Sequence, residues 1–302
     1  MTQNRRRTSP VEHGFPHLAT VRTGITALHR RLSRDGIRTY AAGLVPADAA
    51  FTDADDLYLG AQRVASAIVR QLRLPDARMV VSFRPMTEAA AVELAAGPEY
   101  FIEVHDRFRT HRRDLAAALA HEVTHVLLHR LDLRLPGTEP DGTPADEILT
   151  DTAAAYLGVG WLLLDAYRED SLGHQKLGYL TPEEFGYVLA KRAALFGPGE
   201  DPSVRFTSPQ AYEAYARGAA AARQDLQRPP LAAAGPAARR RYAKARRAGA
   251  APGGEPYRFE SGGAGLRVSF PCPVCEQRIQ VPVRGRLQAR CTLCGTVLDC
   301  ET

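Results

Sequence analysis

His121, Glu122 and His125 form an H-E-x-x-H run inside Ala118-Leu119-Ala120-His121-Glu122-Val123-Thr124-His125. On a helix, residues i and i+4 stand one above the other, so the two imidazoles can converge on one ion. Glu122 lies beside the first histidine, where its carboxylate can take a proton from a metal-activated water. The residue set suits metal-assisted hydrolysis. The competing account is a polar helix face that binds nothing.

A third protein ligand must come from elsewhere. His129 continues the i, i+4, i+8 row. At 1.5 Å per residue it stands about 12 Å from His121 along the axis, too far for Zn–N bonds of about 2.1 Å. Glu147 and Asp151 are better candidates, four residues apart on one face of the next predicted helix. One carboxylate can bind the metal while the other holds a ligand imidazole by its second nitrogen. The plainer account makes them helix N-terminal carboxylates that complement the macrodipole. The small residues that follow, Ala153-Ala154-Ala155, Gly158 and Gly160, permit close approach to the H-E-x-x-H helix.

His121-Glu122-x-x-His125 followed by Glu147-x-x-x-Asp151 resembles the gluzincin zinc metallopeptidases, the thermolysin-like clan. The resemblance covers residues 57–165, and small soluble relatives fit its size better than thermolysin. It implies that Glu147 is the third zinc ligand and that Asp151 partners the ring of His121. It also implies a small sheet packed on an active-site helix and a glutamate helix, with the strand at residues 100–104 as the edge that receives the substrate peptide.

All five cysteines fall between Cys272 and Cys300. Cys272, Cys275, Cys291 and Cys294 make a C-x2-C-x15-C-x2-C pattern, which in a chain without an export signal points to zinc rather than to disulfides. Four thiolates close a tetrahedral shell, so this site is expected to be structural. It resembles a zinc ribbon, with short strands at 266–270, 279–283, 287–290 and 296–298. A piece of about 40 residues cannot bury enough core alone, and the metal supplies the missing stability. Cys300 is left over as a bystander. Zinc is thus expected twice, once catalytic and once structural.

The 302 residues are 45% hydrophobic and 24% charged, an ordinary globular composition. No apolar run reaches the roughly 20 residues of a membrane span, and no apolar core follows the basic N-terminus, so a cytoplasmic protein is expected. The net charge of +5 is uneven: residues 228–302 hold 13 Lys/Arg against 5 Asp/Glu, a net of +8, which leaves −3 for residues 1–227. Arg278, Arg284, Arg286 and Arg290 join a basic cluster at 239–247. A nucleic acid or an acidic protein is therefore a candidate partner for the C-terminal region, against a merely solvated basic surface. Few aromatic residues lie near, which argues against single-strand reading by stacking.

Several elements must position these groups. Residues 57–72 have helical spacing, 79–83 reads as a strand, and 91–94 with 100–104 reads as a hairpin with Tyr100, Ile102 and Val104 on one face. A helix is expected at about 111–130. Thr143-Pro144-Ala145-Asp146 should open the next, with Thr143 as N-cap. Thr181 to Glu184 forms a capping-box pattern for a helix ending near 196, and Ser208-Pro209 opens a last one. The expected organisation is a flexible arm at 1–20, a metallopeptidase-like domain at 21–227, a basic linker at 228–260 and the ribbon at 261–302. The fold class is α+β with an added small β module.

The function expected from these residues is hydrolysis of peptide bonds, with Glu122 as general base and Asp151 orienting an imidazole. Its rivals are a non-proteolytic zinc-binding regulator acting through the ribbon, and a nucleic-acid-binding regulator with the peptidase domain as a switch. A donor for the oxyanion is also needed. His174, Tyr179, Tyr187 and Arg205 lie downstream, and their spacing selects none of them.

Overall fold

A computed structural model describes residues 11–169, 174–197, 199, 201–248, 256–263 and 265–302. In chain order its elements are α1 (Leu18–Arg38), α2 (Pro46–Ala49), α3 (Leu57–Gln71), β1 (Arg78–Arg84), β2 (Ala90–Val92), β3 (Glu99–His105), α4 (Leu115–Arg130), α5 (Ala145–Leu157), α6 (Trp161–Asp165), β4 (Arg168–Glu169), β5 (His174–Gln175), α7 (Pro182–Phe196), α8 (Pro209–Leu226) and α9 (Pro236–Ala248), then β6 (Arg258–Gly262), β7 (Gly265–Pro271), β8 (Arg278–Pro282), β9 (Arg286–Arg290) and β10 (Val297–Glu301). The fold is mixed α+β with small sheets. Among the described residues, no helix is long and apolar enough to cross a membrane.

The first sheet has the order β1-β3-β2, with β1 parallel and β2 antiparallel to β3. Met79, Val81 and Phe83 of β1 and Tyr100, Ile102 and Val104 of β3 are buried, the period-2 face expected of a half-covered sheet. The edge assignment is corrected, however. β3, which contains residues 100–104, is the central strand, and among the described residues β1 and β2 are the two edges. Alternation along a strand fixes which face is buried but not which neighbours it pairs with.

α4 is buried nearly all round, because it packs between the sheet, α3 and α5. α5 lies against α1 and α7 as well. The cap of α5 differs from expectation: the helix begins at Ala145 after an extended Pro144, and the Thr143 hydroxyl donates to Asp141 instead. Ser208 caps α8, and the Thr181–Glu184 capping box of α7 is complete.

α1 falls in a stretch for which the sequence suggested no helix; its start also anchors residues read as part of a flexible arm. The Gly14 amide donates to Glu183 at 3.1 Å, and Thr181 donates to the Gly14 carbonyl at 2.7 Å. The buried His17 ring stands 3.0 Å from Glu184 and 3.1 Å from Asp141. Residues 1–10 lie outside the described ones.

The C-terminal region has its own apolar cluster, built from Leu231, Tyr242, Tyr257, Phe259, Val268 and Phe270 around the cysteines. Its sheets are β6-β7-β8 and β9-β10. The basic segment contributes to this cluster: α9 seats Tyr242 against Tyr257 and Phe259, and the Ala232 amide donates to the Asp299 carbonyl. The cysteine turns rest on α1. Thr26 donates to the Cys275 carbonyl at 2.8 Å, and Arg30 donates to Gln277 at 2.7 Å. Lys191 of α7 is buried between Asp225 at 2.7 Å and Glu276 at 2.6 Å, and donates to the Pro273 carbonyl.

Candidate functional site

α4 carries His121, Glu122 and His125, and α5 carries Glu147 and Asp151. The helices meet so that Nε2 of His121, Nε2 of His125 and Oε2 of Glu147 stand 3.1–3.2 Å from one another. A tetrahedral ion with bonds of about 2.1 Å spaces its ligands by about 3.4 Å. With both rings deprotonated at Nε2, two ring nitrogens and a carboxylate oxygen at this spacing would present three lone pairs to one point, a donor set that fits zinc.

The supports of these atoms are equally specific. Nδ1 of His121 lies 2.8 Å from Oδ1 of Asp151. The other Asp151 oxygen accepts the backbone N–H groups of Tyr179 and Leu180. Nδ1 of His125 lies 3.3 Å from the Thr150 hydroxyl, which donates to the Asp146 carbonyl. His129 is exposed near the end of α4, apart from the cluster.

Burial works against charge on Glu147, yet hydrogen bonds from His121 and His125 hold its carboxyl down at about 2. Burial likewise opposes a charge on His121, and Asp151 outweighs it, so the ring is held well above its usual value. Desolvation pushes the buried Glu122 carboxyl up, against the pull of both histidines. Glu147 and Asp151 thus supply negative charge beside the two rings.

A cleft of about 350 Å³ opens on His121 and Glu122, lined also by Ala89 and Ala90 at β2, Arg107, Lys176 and Tyr179. Lys176 is spent on the carbonyls of Tyr179 and Leu180. Of the four downstream candidates, only Tyr179 lines this cleft. Its ring lies 5.9 Å from that of His121, and it is 44% exposed. Tyr187 is buried with its hydroxyl donating to Asp225, His174 sits in β5 and Arg205 in a short turn of 3-10 helix. Sequence reasoning missed Thr150 and the Gly178-Tyr179-Leu180 loop, because nothing local marks a loop whose amides face a carboxylate.

The second group is Cys272, Cys275, Cys291 and Cys294, all buried and free, with Sγ atoms mutually within 4.8 Å. Cys272 and Cys294 stand 3.7 Å apart, and Cys275 and Cys291 3.5 Å apart. Zn–S bonds of about 2.3 Å would set about 3.8 Å. Cys300 is buried in the same apolar cluster but is not among the four converging sulfurs. A third group, Glu12, His17 and Asp141, also converges, but both ring nitrogens of His17 already face carboxylates.

Compared with known proteins, the chain matches no family model, no curated protein and no solved structure.

Proposed function

We propose that the chain is a zinc-dependent metallopeptidase of the gluzincin kind, with the four-cysteine group as a structural zinc site. The observation that carries this is the His121–His125–Glu147 triangle with the Glu122 carboxylate beside it in the cleft. A bound zinc would acidify a water and polarise the scissile carbonyl. Glu122 accepts the water's proton and passes it to the leaving amine, and its burial supports this, because a raised carboxyl is a stronger base near neutral pH. Asp151 keeps the His121 proton on Nδ1, which leaves Nε2 to offer its lone pair. Tyr179, whose hydroxyl stays protonated because burial and Glu147 push it up, supplies a donor for the oxyanion. The free edge of β2 beside the cleft supports an extended peptide bound as an added strand.

Metal analysis combined with a peptide-library digest tests the reading. About two zinc per chain are expected in wild type and in Glu122→Gln, with hydrolysis in the first alone. Undiminished cleavage by Glu122→Gln, or zinc in the cysteine group only, would overturn it. A fully loaded wild-type chain that cuts no peptide would favour the non-proteolytic regulator.

A further inference from the structure

α9 carries six cations, Arg239, Arg240, Arg241, Lys244, Arg246 and Arg247, and no acid. Its rotation is fixed by Tyr242, which is buried with ring centroids 5.0 Å from Tyr257 and 5.1 Å from Phe259. Flanking that anchor, Arg239 pairs with Glu301, and Arg246 donates to the Thr302 carbonyl at 3.2 Å. At about 100° per residue, Arg240, Lys244 and Arg247 then fall on the face opposite Tyr242. All three are exposed, and among the described residues no ion pair holds any of them. Like charges at i, i+4 and i, i+3 cost such a helix about 0.2–0.5 kcal/mol per pair. A helix that keeps this repulsion on its outward face breaks a local rule with no gain inside the fold, which is where a partner is to be sought.

We propose that the outward strip Arg240–Lys244–Arg247 docks on the phosphate backbone of a nucleic-acid duplex. The strip spans about 10 Å along the helix axis, and a duplex offers about one charge per 1.7 Å, a dense regular line of anions. Guanidinium forks match phosphate oxygens. A protein partner would need an aromatic or aliphatic anchor, and this face of α9 has only alanine between its charges. A single strand would need stacking platforms, but Tyr242, Tyr257 and Phe259 are all buried. What is left is charge without apolar or stacking contact, which recognises a backbone and not a base sequence. The proposal stands apart from the peptidase reading and survives its failure.

The test uses the full, zinc-loaded chain and a fluorescently labelled duplex, with anisotropy measured across a salt series. Three phosphate contacts contribute about −2.7 to the slope of log affinity against log salt, or about 40-fold between 50 and 200 mM. The triple variant Arg240→Ala/Lys244→Ala/Arg247→Ala should lose that part of the slope. Its zinc content and helicity should be unchanged, since the residues face solvent and alanine favours helix. An unchanged slope in the folded variant would overturn the proposal. So would displacement of the duplex by polyglutamate at equal charge, which would mark an acidic protein as the partner, or tighter binding of a single strand of equal length.

Discussion

Asp151 and His121 sit on different helices, and one carboxylate ties them to a third element. Its Oδ1 lies 2.8 Å from Nδ1 of His121, while its other oxygen accepts the amides of Tyr179 and Leu180 just ahead of α7. The tautomer of the candidate ligand is therefore set by a contact that also fixes the wall of the cleft. Asp151→Asn should weaken zinc at the histidine site by about 10–100-fold, measured by competition with a chelator. Glu147→Gln should weaken it more, and His129→Ala should leave it unchanged. Equal losses in the Asp151 and His129 variants would dismiss this role.

Tyr179 should matter to rate more than to binding. Tyr179→Phe keeps the ring against His121 and removes the hydroxyl, so kcat should fall about 100-fold with zinc content and KM nearly constant. A rise in KM at unchanged kcat would instead make Tyr179 a substrate contact.

The ribbon, expected at 261–302 behind a linker at 228–260, packs against the body of the chain. Lys191 is 2% exposed and pairs with Asp225 from α8 and Glu276 from a cysteine turn. Arg22 and Arg228 also reach Asp225 at 2.9 Å, and Arg22 stands 3.7 Å from Glu276, so removing Lys191 leaves Glu276 with the more distant cation and the Pro273 carbonyl without its donor. Lys191→Met should cost about 1–3 kcal/mol by chemical denaturation. The double variant Lys191→Met/Glu276→Gln should recover part of that loss. Truncation after residue 227 should lower stability, because it strips Lys191 of Glu276 and the Pro273 carbonyl together.

His17 predicts a pH dependence. Burial disfavours its charge, but Glu184 and Asp141 outweigh burial and raise the ring above 6.5. The stabilisation from this shift is complete below an unfolded value of about 6.5 and is lost as pH rises through the higher folded value. Glu184, pushed up by burial against the pull of His17, works in the same sense. The urea midpoint of the zinc-loaded protein should therefore fall between pH 6 and pH 8. His17→Gln should flatten that fall, and an identical fall in the variant would place its origin elsewhere.

These sites differ in how far local sequence reveals them. His121 and His125 are four residues apart on one helix, as are Glu147 and Asp151, and each CxxC turn is shorter still, so spacing alone brings those atoms near each other. The Thr181–Glu184 box is legible for the same reason. What the sequence hides is pairing at a distance. The row Arg22, Thr26 and Arg30 on α1 meets Glu276, Cys275 and Gln277, partners about 250 residues away that no local pattern announces. α1 itself is interrupted at Ser33, with φ 63, which dilutes its periodicity. Thr143 looked like a cap because its neighbours suit one, but Asp141 offered its hydroxyl a nearer partner.

Gly178 isolates how the Asp151 support works. Its φ is +80, and a Cβ there would stand 2.6 Å from one Asp151 carboxylate oxygen and 2.8 Å from the other. Gly178→Ala thus imposes two separate penalties: a left-handed backbone that a side chain adopts at a cost of about 1–2 kcal/mol, and a methyl group forced against the carboxylate that holds His121. Gly137 supplies the control. Its φ is +105, and a Cβ there would meet nothing within 4 Å, so Gly137→Ala carries the backbone cost alone. Both variants should be less stable by a similar backbone increment, but only Gly178→Ala should also lose zinc affinity at the histidine site, by an amount comparable to Asp151→Asn. Combining Gly178→Ala with Asp151→Asn should then cost less than the sum of the two, because both act on one contact. If Gly178→Ala destabilises the fold while zinc binding stays at the wild-type level, the carboxylate can yield without releasing His121, and the bridge between α4, α5 and the Tyr179 loop does not set the metal affinity.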